Sequence, residues 1–146
     1  MKIKSITICS SASAYKQAWV VKTELEKLGY KVWIPLTAKK MNQTKNYKVS
    51  HYKAWYKDPK KFITKAWLMR KHFSEIEKAD AILVTNFTKN KQTGYIGGNV
   101  LMEMALAFYL KKPVFLLNKP SRKSVLYEEI MGVRPVILNG DLELIK

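Results

Sequence analysis

Disulfide frameworks and cysteine-rich zinc modules are closed to this chain, because its 146 residues contain a single cysteine, Cys9, set in an apolar strand pattern. That usage points to a reducing, cytoplasmic compartment. Long hydrophobic runs are also missing: nothing approaches the roughly 18 to 20 consecutive apolar residues that cross a bilayer. Residues 1–13 carry no signal-peptide cleavage pattern, so no membrane partner is expected. Acidic residues are scarce, 11 against 27 Lys and Arg, and the formal charge is +16. The imbalance is uneven. Residues 1–79 hold 18 basic side chains against 5 acids, net +13, and residues 80–146 hold 9 against 6, net +3. Such a field gathers polyanions and nucleotides around the first half but does not specify a fold.

What is present suffices for one core. A hydrophobic content of 47% over this length fits a single domain needing neither metal nor cross-link. Residues 2–9 alternate around Ile3, Ile6 and Ile8 as a first strand, and the serines that follow suit a helix start, where hydroxyls accept bonds from orphan amides. Ala18, Val21, Leu25 and Leu28 recur at helical spacing, and Gly29 closes that helix. A short strand over 31–34 stops at Pro35. Residues 37–61 show no sustained period but carry eight lysines, one acid and the aromatics Tyr47, Tyr52, Trp55 and Tyr56. They read as a basic, aromatic loop or lid. Helix is expected again over 62–79, strand over 81–84, helix from Tyr95 to Leu110 with Lys111 and Lys112 in its last turn, strand over 113–117, a short helix over 125–131 and strand over 135–138.

Strands alternating with helices imply a single-domain α/β sandwich of three layers, with a mainly parallel five-stranded sheet in flavodoxin-like or Rossmann-like order. Ligands in such sheets sit beyond the carboxyl ends of the strands, near the reversal of strand order. Three loops qualify: 9–13 with Ser10 and Ser11, 86–99 with Asn86, and 118–122. Within residues 100–110 the only charged side chain is Glu103. A carboxylate in so apolar a helix needs a stabilising partner, and the free amides of Gly98 and Asn99 at the helix start could supply it. A capping box does not explain Glu103, because Val100 stands three residues earlier. The adjoining Gly97 and Gly98 would let a ribose or phosphate approach the backbone. His51, in the basic segment, reads as a solvated side chain.

The ordered set Ala79-Asp80-Ala81-Ile82-Leu83-Val84, then a glycine-containing loop, Leu101-Met102-Glu103-Met104-Ala105-Leu106-Ala107 and Lys112-Pro113-Val114-Phe115-Leu116-Leu117 resembles the nucleoside 2-deoxyribosyltransferase superfamily. That superfamily also contains deoxynucleoside 5′-monophosphate N-glycosidases. The resemblance implies a retaining double displacement, with Glu103 attacking the anomeric carbon and expelling the base. It implies that Ser11 touches base or phosphate and that neighbouring subunits complete the pocket. Asp80, which begins a buried strand, reads first as a residue bonded to backbone or the preceding turn, with a place in the substrate set as the alternative. Two departures stand out. Ser10 replaces a common glycine, and His72 replaces a carboxylate expected eight residues before Asp80; a histidine there could protonate a leaving base.

The expectation is therefore an N-glycosidic-bond transferase or hydrolase. Glu103 and His72 are its catalytic residues, and Ser10, Ser11, Asp80, Asn86, Gly97, Gly98 and Asn99 bind substrate. The substrate would be a small-molecule nucleoside or nucleotide, with no cofactor, no metal and a homo-oligomeric assembly. The competing reading is a non-catalytic nucleotide- or nucleic-acid-binding protein that uses the basic first half. A cytokinin-activating phosphoribohydrolase is disfavoured, since its Pro-Gly-Gly run and following Gly-Thr are missing.

Overall fold

Alternation along the strands decides which layer each core residue joins. The computed structural model describes residues 2–146 and contains a five-stranded, fully parallel sheet. Its strands are β1 (Ser5–Cys9), β2 (Lys31–Trp33), β3 (Ala81–Val84), β4 (Val114–Leu116) and β5 (Val136–Ile137), in the order β2-β1-β3-β4-β5. Ile6 and Ile8 of β1, Ala81 and Leu83 of β3 and Phe115 of β4 face one side. There they pack on Ala18, Val21 and Leu25 of helix α1 (Tyr15–Lys27) and on Leu138, Leu142 and Ile145 near the carboxyl terminus. Cys9, Ile82, Val84, Val114 and Leu116 face the other side. Their partners are Ile76, Val100, Met104, Ala107 and Ile130, from the three helices of that layer. Each fully buried Leu or Ile contributes about 1.5–3 kcal/mol before entropy is charged against it. The expected α/β sandwich with flavodoxin-like strand order is therefore the observed fold. Among the described residues no helix is long and apolar enough to cross a membrane.

The segment from 37 to 61 is not the irregular loop its sequence suggested. It folds into α2 (Leu36–Thr44), α3 (Val49–Tyr52) and two single 3₁₀ turns, and buries Ala38, Met41 and Trp55. The sequence signal was weak because α2 makes two and a half turns and α3 about one, too few to show a sustained period. Helix α4 (Phe62–Lys78) then runs back under the sheet. Helix α5 spans Gly98–Tyr109, and α6 spans Tyr127–Gly132.

Helix ends show where local chemistry departs from expectation. The serines after β1 provide no side-chain cap: Ser11 is the N-cap residue of the short turn preceding α1, yet its hydroxyl sits 3.2 Å from that of Ser13. Gly29 does close α1, at φ +94°, with Gly29 and Tyr30 amides returning to Glu26 and Leu25 carbonyls. Helix α5 ends by the same motif without glycine. Lys111 takes φ +58°, and the Lys111 and Lys112 amides reach Phe108 and Ala107 carbonyls. Lys112 lies beyond the last turn of α5, whereas the sequence suggested a place within that turn. Its ammonium donates to the Glu77 carbonyl at 2.8 Å and to the Ala79 carbonyl, closing the end of α4 and tying it to α5.

Candidate active site

The strand parity that sends Ile6 and Ile8 to α1 sends Cys9, the last residue of β1, toward α4 and α5. Helical spacing brings the rest. Lys65, His72 and Glu75 share one face of α4, seven and three residues apart, and Asn99 and Glu103 stand four apart on α5. Helices α4 and α5 pack together over the carboxyl end of β1, so these side chains converge. Glu103 is only 4% exposed. Its Oε1 accepts 2.8 Å from the Asn99 side-chain amide, and its Oε2, 3.7 Å from His72 Nε2, has no hydrogen-bond partner. The other ring nitrogen, Nδ1, lies 3.3 Å from Glu75 Oε2, and Lys71 stands 3.6 Å from Glu75 Oε1. Cys9 Sγ is 3.7 Å from His72 Nε2, and Lys65 Nζ donates to Asn99 Oδ1 at 2.9 Å. A continuous polar chain thus runs Lys71, Glu75, His72, Glu103, Asn99, Lys65 through an otherwise apolar layer.

Burial sets the electrostatics. Desolvation raises the Glu103 carboxyl above the ordinary range, opposed chiefly by His72. Desolvation also raises the Cys9 thiol and the Tyr15 phenol, and the Glu103 charge adds to both shifts. It lowers Lys65, where Glu103 works in the opposite direction. It lowers Lys53 too, helped by repulsion from Lys65 and Lys89. The site is therefore a buried carboxylate–imidazole pair ringed by lysines that have too few anions for their number. A cavity of about 70 Å³ opens onto it, walled by Tyr15, Lys53, Trp55, Lys65, His72 and Glu103 and roofed by α2 and α3.

Of the residues singled out from sequence, Glu103, His72 and Asn99 come together. The Glu103 partner is the Asn99 side chain, however, rather than free backbone amides at the helix start, because Glu103 lies in the second turn of α5. Ser10 is buried beside the site, with its hydroxyl on the Thr85 carbonyl at 3.3 Å, and Ser11 lies 3.5 Å from Lys89 Nζ. Asn86 is a clamp: its side chain exchanges bonds of 2.7 and 2.9 Å with the Asn118 backbone and fixes two loops at the sheet's carboxyl edge. Asp80 belongs to the opposite edge, where its Oδ2 accepts from the amides of Lys4 and Ser5 at 2.8 and 2.9 Å. It is far down β3 from the cavity and has a structural task. Gly97 and Gly98 are not demanded by backbone strain, since neither has positive φ. Gly94 is: at φ +61° it presses on the Lys119 carbonyl where any Cβ would collide.

Cys9, Glu75, Lys53, Lys65 and Tyr15 were not foreseen as site residues. Spacing from His72 could have found Lys65 and Glu75, and strand parity could have found Cys9; Lys53 and Tyr15 arrive only through tertiary packing. Among the described residues, the donor atoms of Cys9, His72 and Glu103 form a group that lies within 4.8 Å and could hold a metal ion. No protein-family model matches the chain, and no curated protein matches it.

Proposed function

We propose that the protein cleaves or transfers at the N-glycosidic bond of a nucleoside or nucleotide, as a relative of the nucleoside 2-deoxyribosyltransferases. One observation carries this reading: Glu103 is buried at the cavity wall with Oε2 free of hydrogen bonds and facing His72. A carboxylate oxygen committed to no protein donor is a strong nucleophile once a substrate excludes water. Oε2 attacks the anomeric carbon as the C–N bond breaks, and His72 Nε2 delivers a proton to the departing base. Glu75 on Nδ1 orients the ring for that transfer. Water or a second base then attacks the glycosyl ester from the face the first base left, releasing the Glu103 carboxylate with net retention. The substitution of histidine for the acid implied by the family resemblance is compatible with this chemistry, because His72 occupies the proton-donor side of the carboxylate. Lys53 and Lys65, both part-buried, favour an anionic substrate, a nucleotide before a nucleoside.

The assay is release or exchange of free base, followed by chromatography, from deoxynucleosides and their 5′-monophosphates with and without an acceptor base. Base release by the wild-type protein and its loss in Glu103→Gln is the expected result. No release from a broad panel, or activity undiminished in the variant, refutes the reading. A second reading, non-catalytic binding of nucleic acid, draws on exposed Lys40, Lys45, Lys48, Lys57, Lys60 and Lys61 along one basic segment. Phosphate-driven binding would weaken steeply with salt, and no affinity for single-stranded RNA or DNA at low ionic strength eliminates it. The resemblance also supports a homo-oligomer. Ile63 and Trp67 near the start of α4, and Phe108 and Tyr109 at the end of α5, are between 54% and 81% exposed and offer it apolar contacts.

A further inference from the structure

The nucleophile proposed above shares its free oxygen with two other donors. Cys9 Sγ and Glu103 Oε2 each lie 3.7 Å from His72 Nε2, and all three donor atoms fall within 4.8 Å. A tetrahedral zinc ion, with bonds of about 2.3 Å to sulfur and 2.0–2.2 Å to nitrogen or oxygen, places its ligands roughly 3.4–3.6 Å apart. Two edges of the triangle are within tenths of an ångström of that spacing, and the third closes by small side-chain rotations. The surroundings match as well. His72 turns Nε2 toward the triangle while Nδ1 faces the Glu75 carboxylate at 3.3 Å, the arrangement that fixes a metal-ligating imidazole. Asn99 holds the second Glu103 oxygen at 2.8 Å, leaving Oε2 as the single-oxygen donor. Glu103 Oε2 is the buried oxygen without a partner, and a cation in the triangle would supply one.

We propose that Cys9, His72 and Glu103 form a binding site for a thiophilic divalent cation, zinc foremost, whose fourth position opens to the cavity and whose occupancy blocks the Glu103 nucleophile. The blocking clause rests on the proposed function; the site itself does not. On binding, the Cys9 thiol and the His72 Nε2–H that serves as acid in the proposed reaction each give a proton to solvent, leaving a thiolate, a neutral imidazole and a carboxylate as ligands. Magnesium and calcium are excluded by chemistry, since they prefer all-oxygen shells. The site thus offers inhibition by free zinc, relieved by any chelator that outcompetes two helices and a strand end.

The decisive measurement is a titration of the purified full chain, previously treated with chelator and reductant. Zinc is followed by competition with a chromogenic chelator, and cobalt by its thiolate-to-metal charge-transfer absorption. One zinc per chain, a cobalt–thiolate band, and no response to magnesium are expected. Cys9→Ala should abolish the band and weaken zinc by at least about 100-fold, and Glu75→Gln should weaken it about 10- to 100-fold while keeping the band. Circular dichroism certifies that each variant is folded, and His72→Gln replaces Cys9→Ala if the latter is not. Zinc bound equally by wild type and folded Cys9→Ala, or a wild-type cobalt complex with no thiolate band, overturns the proposal. Base release that proceeds undiminished at saturating zinc overturns the blocking clause and leaves the N-glycosidase reading intact. Zinc binding with the expected band, in a protein that releases base from no substrate, upholds the site and removes only that reading.

Discussion

Glu103→Gln should make the protein more stable while it destroys base release. In the wild type, Glu103 Oε2 is buried without a hydrogen bond, and desolvation raises the carboxyl above its usual range. A buried polar atom left unsatisfied costs about 1–3 kcal/mol. The amide removes the buried charge and keeps an acceptor for Asn99, so a gain of about 1–2 kcal/mol is expected. Unfolding entropy of about 2.1 cal/mol/K per residue gives roughly 0.3 kcal/mol/K over 146 residues, and the gain becomes about 3–6 °C in Tm. Differential scanning calorimetry with EDTA present isolates this term from any metal contribution. Base release should fall at least about 1,000-fold, since an amide cannot form the ester. A lowered Tm would mean that the carboxylate is held by compensating partners and is structural. Activity within tenfold of wild type would refute the nucleophile.

If Lys65 and Lys53 receive an anionic group, Lys65→Met should cut kcat/KM for a 5′-monophosphate about 10- to 100-fold and that for the matching nucleoside far less; equal losses would place Lys65 outside phosphate recognition. Asp80, held below the usual carboxylate range chiefly by the Lys4 amide, stabilises the fold above its unfolded pKa, and that contribution is lost as pH falls through the folded value. The Tm gap between wild type and Asp80→Ala should accordingly be constant above about pH 5 and narrow toward pH 2, and a gap independent of pH denies the charged bonds their role. If the proposed homo-oligomer uses the exposed start of α4, Trp67→Glu should shift the mass measured by light scattering from oligomer to monomer without changing Tm by more than about 2 °C, whereas an unchanged oligomer mass would put the interface elsewhere and a monomeric wild type would refute the assembly. Lys111→Gly should gain about 0.5–1 kcal/mol in denaturant melts by relieving φ +58°, and a loss would show that the lysine side chain outweighs its backbone strain.

How much of this was legible in the sequence depends on the range of the interactions concerned. Helices α1, α4 and α5 could be read because burial of one face writes a 3.6-residue period into residue choice, β1 by its spaced isoleucines, and β3 and β4 because burial on both faces leaves short continuous apolar runs. The parallel order followed from helical crossovers, which permit few alternatives. The 37–61 segment defeated that reading, since its helices are anchored by isolated residues such as Met41 and Trp55 rather than by a stripe. At the site, Glu103 was conspicuous because a lone charge contradicts an apolar helix. Asp80 had the same appearance for a different reason: it ties β1 to β3 through backbone amides at the sheet's other edge. A conspicuous carboxylate thus marks an unusual demand without saying whether backbone or ligand makes it, and only the environment separates the two. Asp80 has its accepting oxygen saturated by donors, so it has nothing left to offer. Glu103 Oε2 sits beside the His72 imidazole and the Cys9 thiol with no backbone or amide donor on it. That unmet demand is what both proposals for Glu103, sugar or metal, rest on.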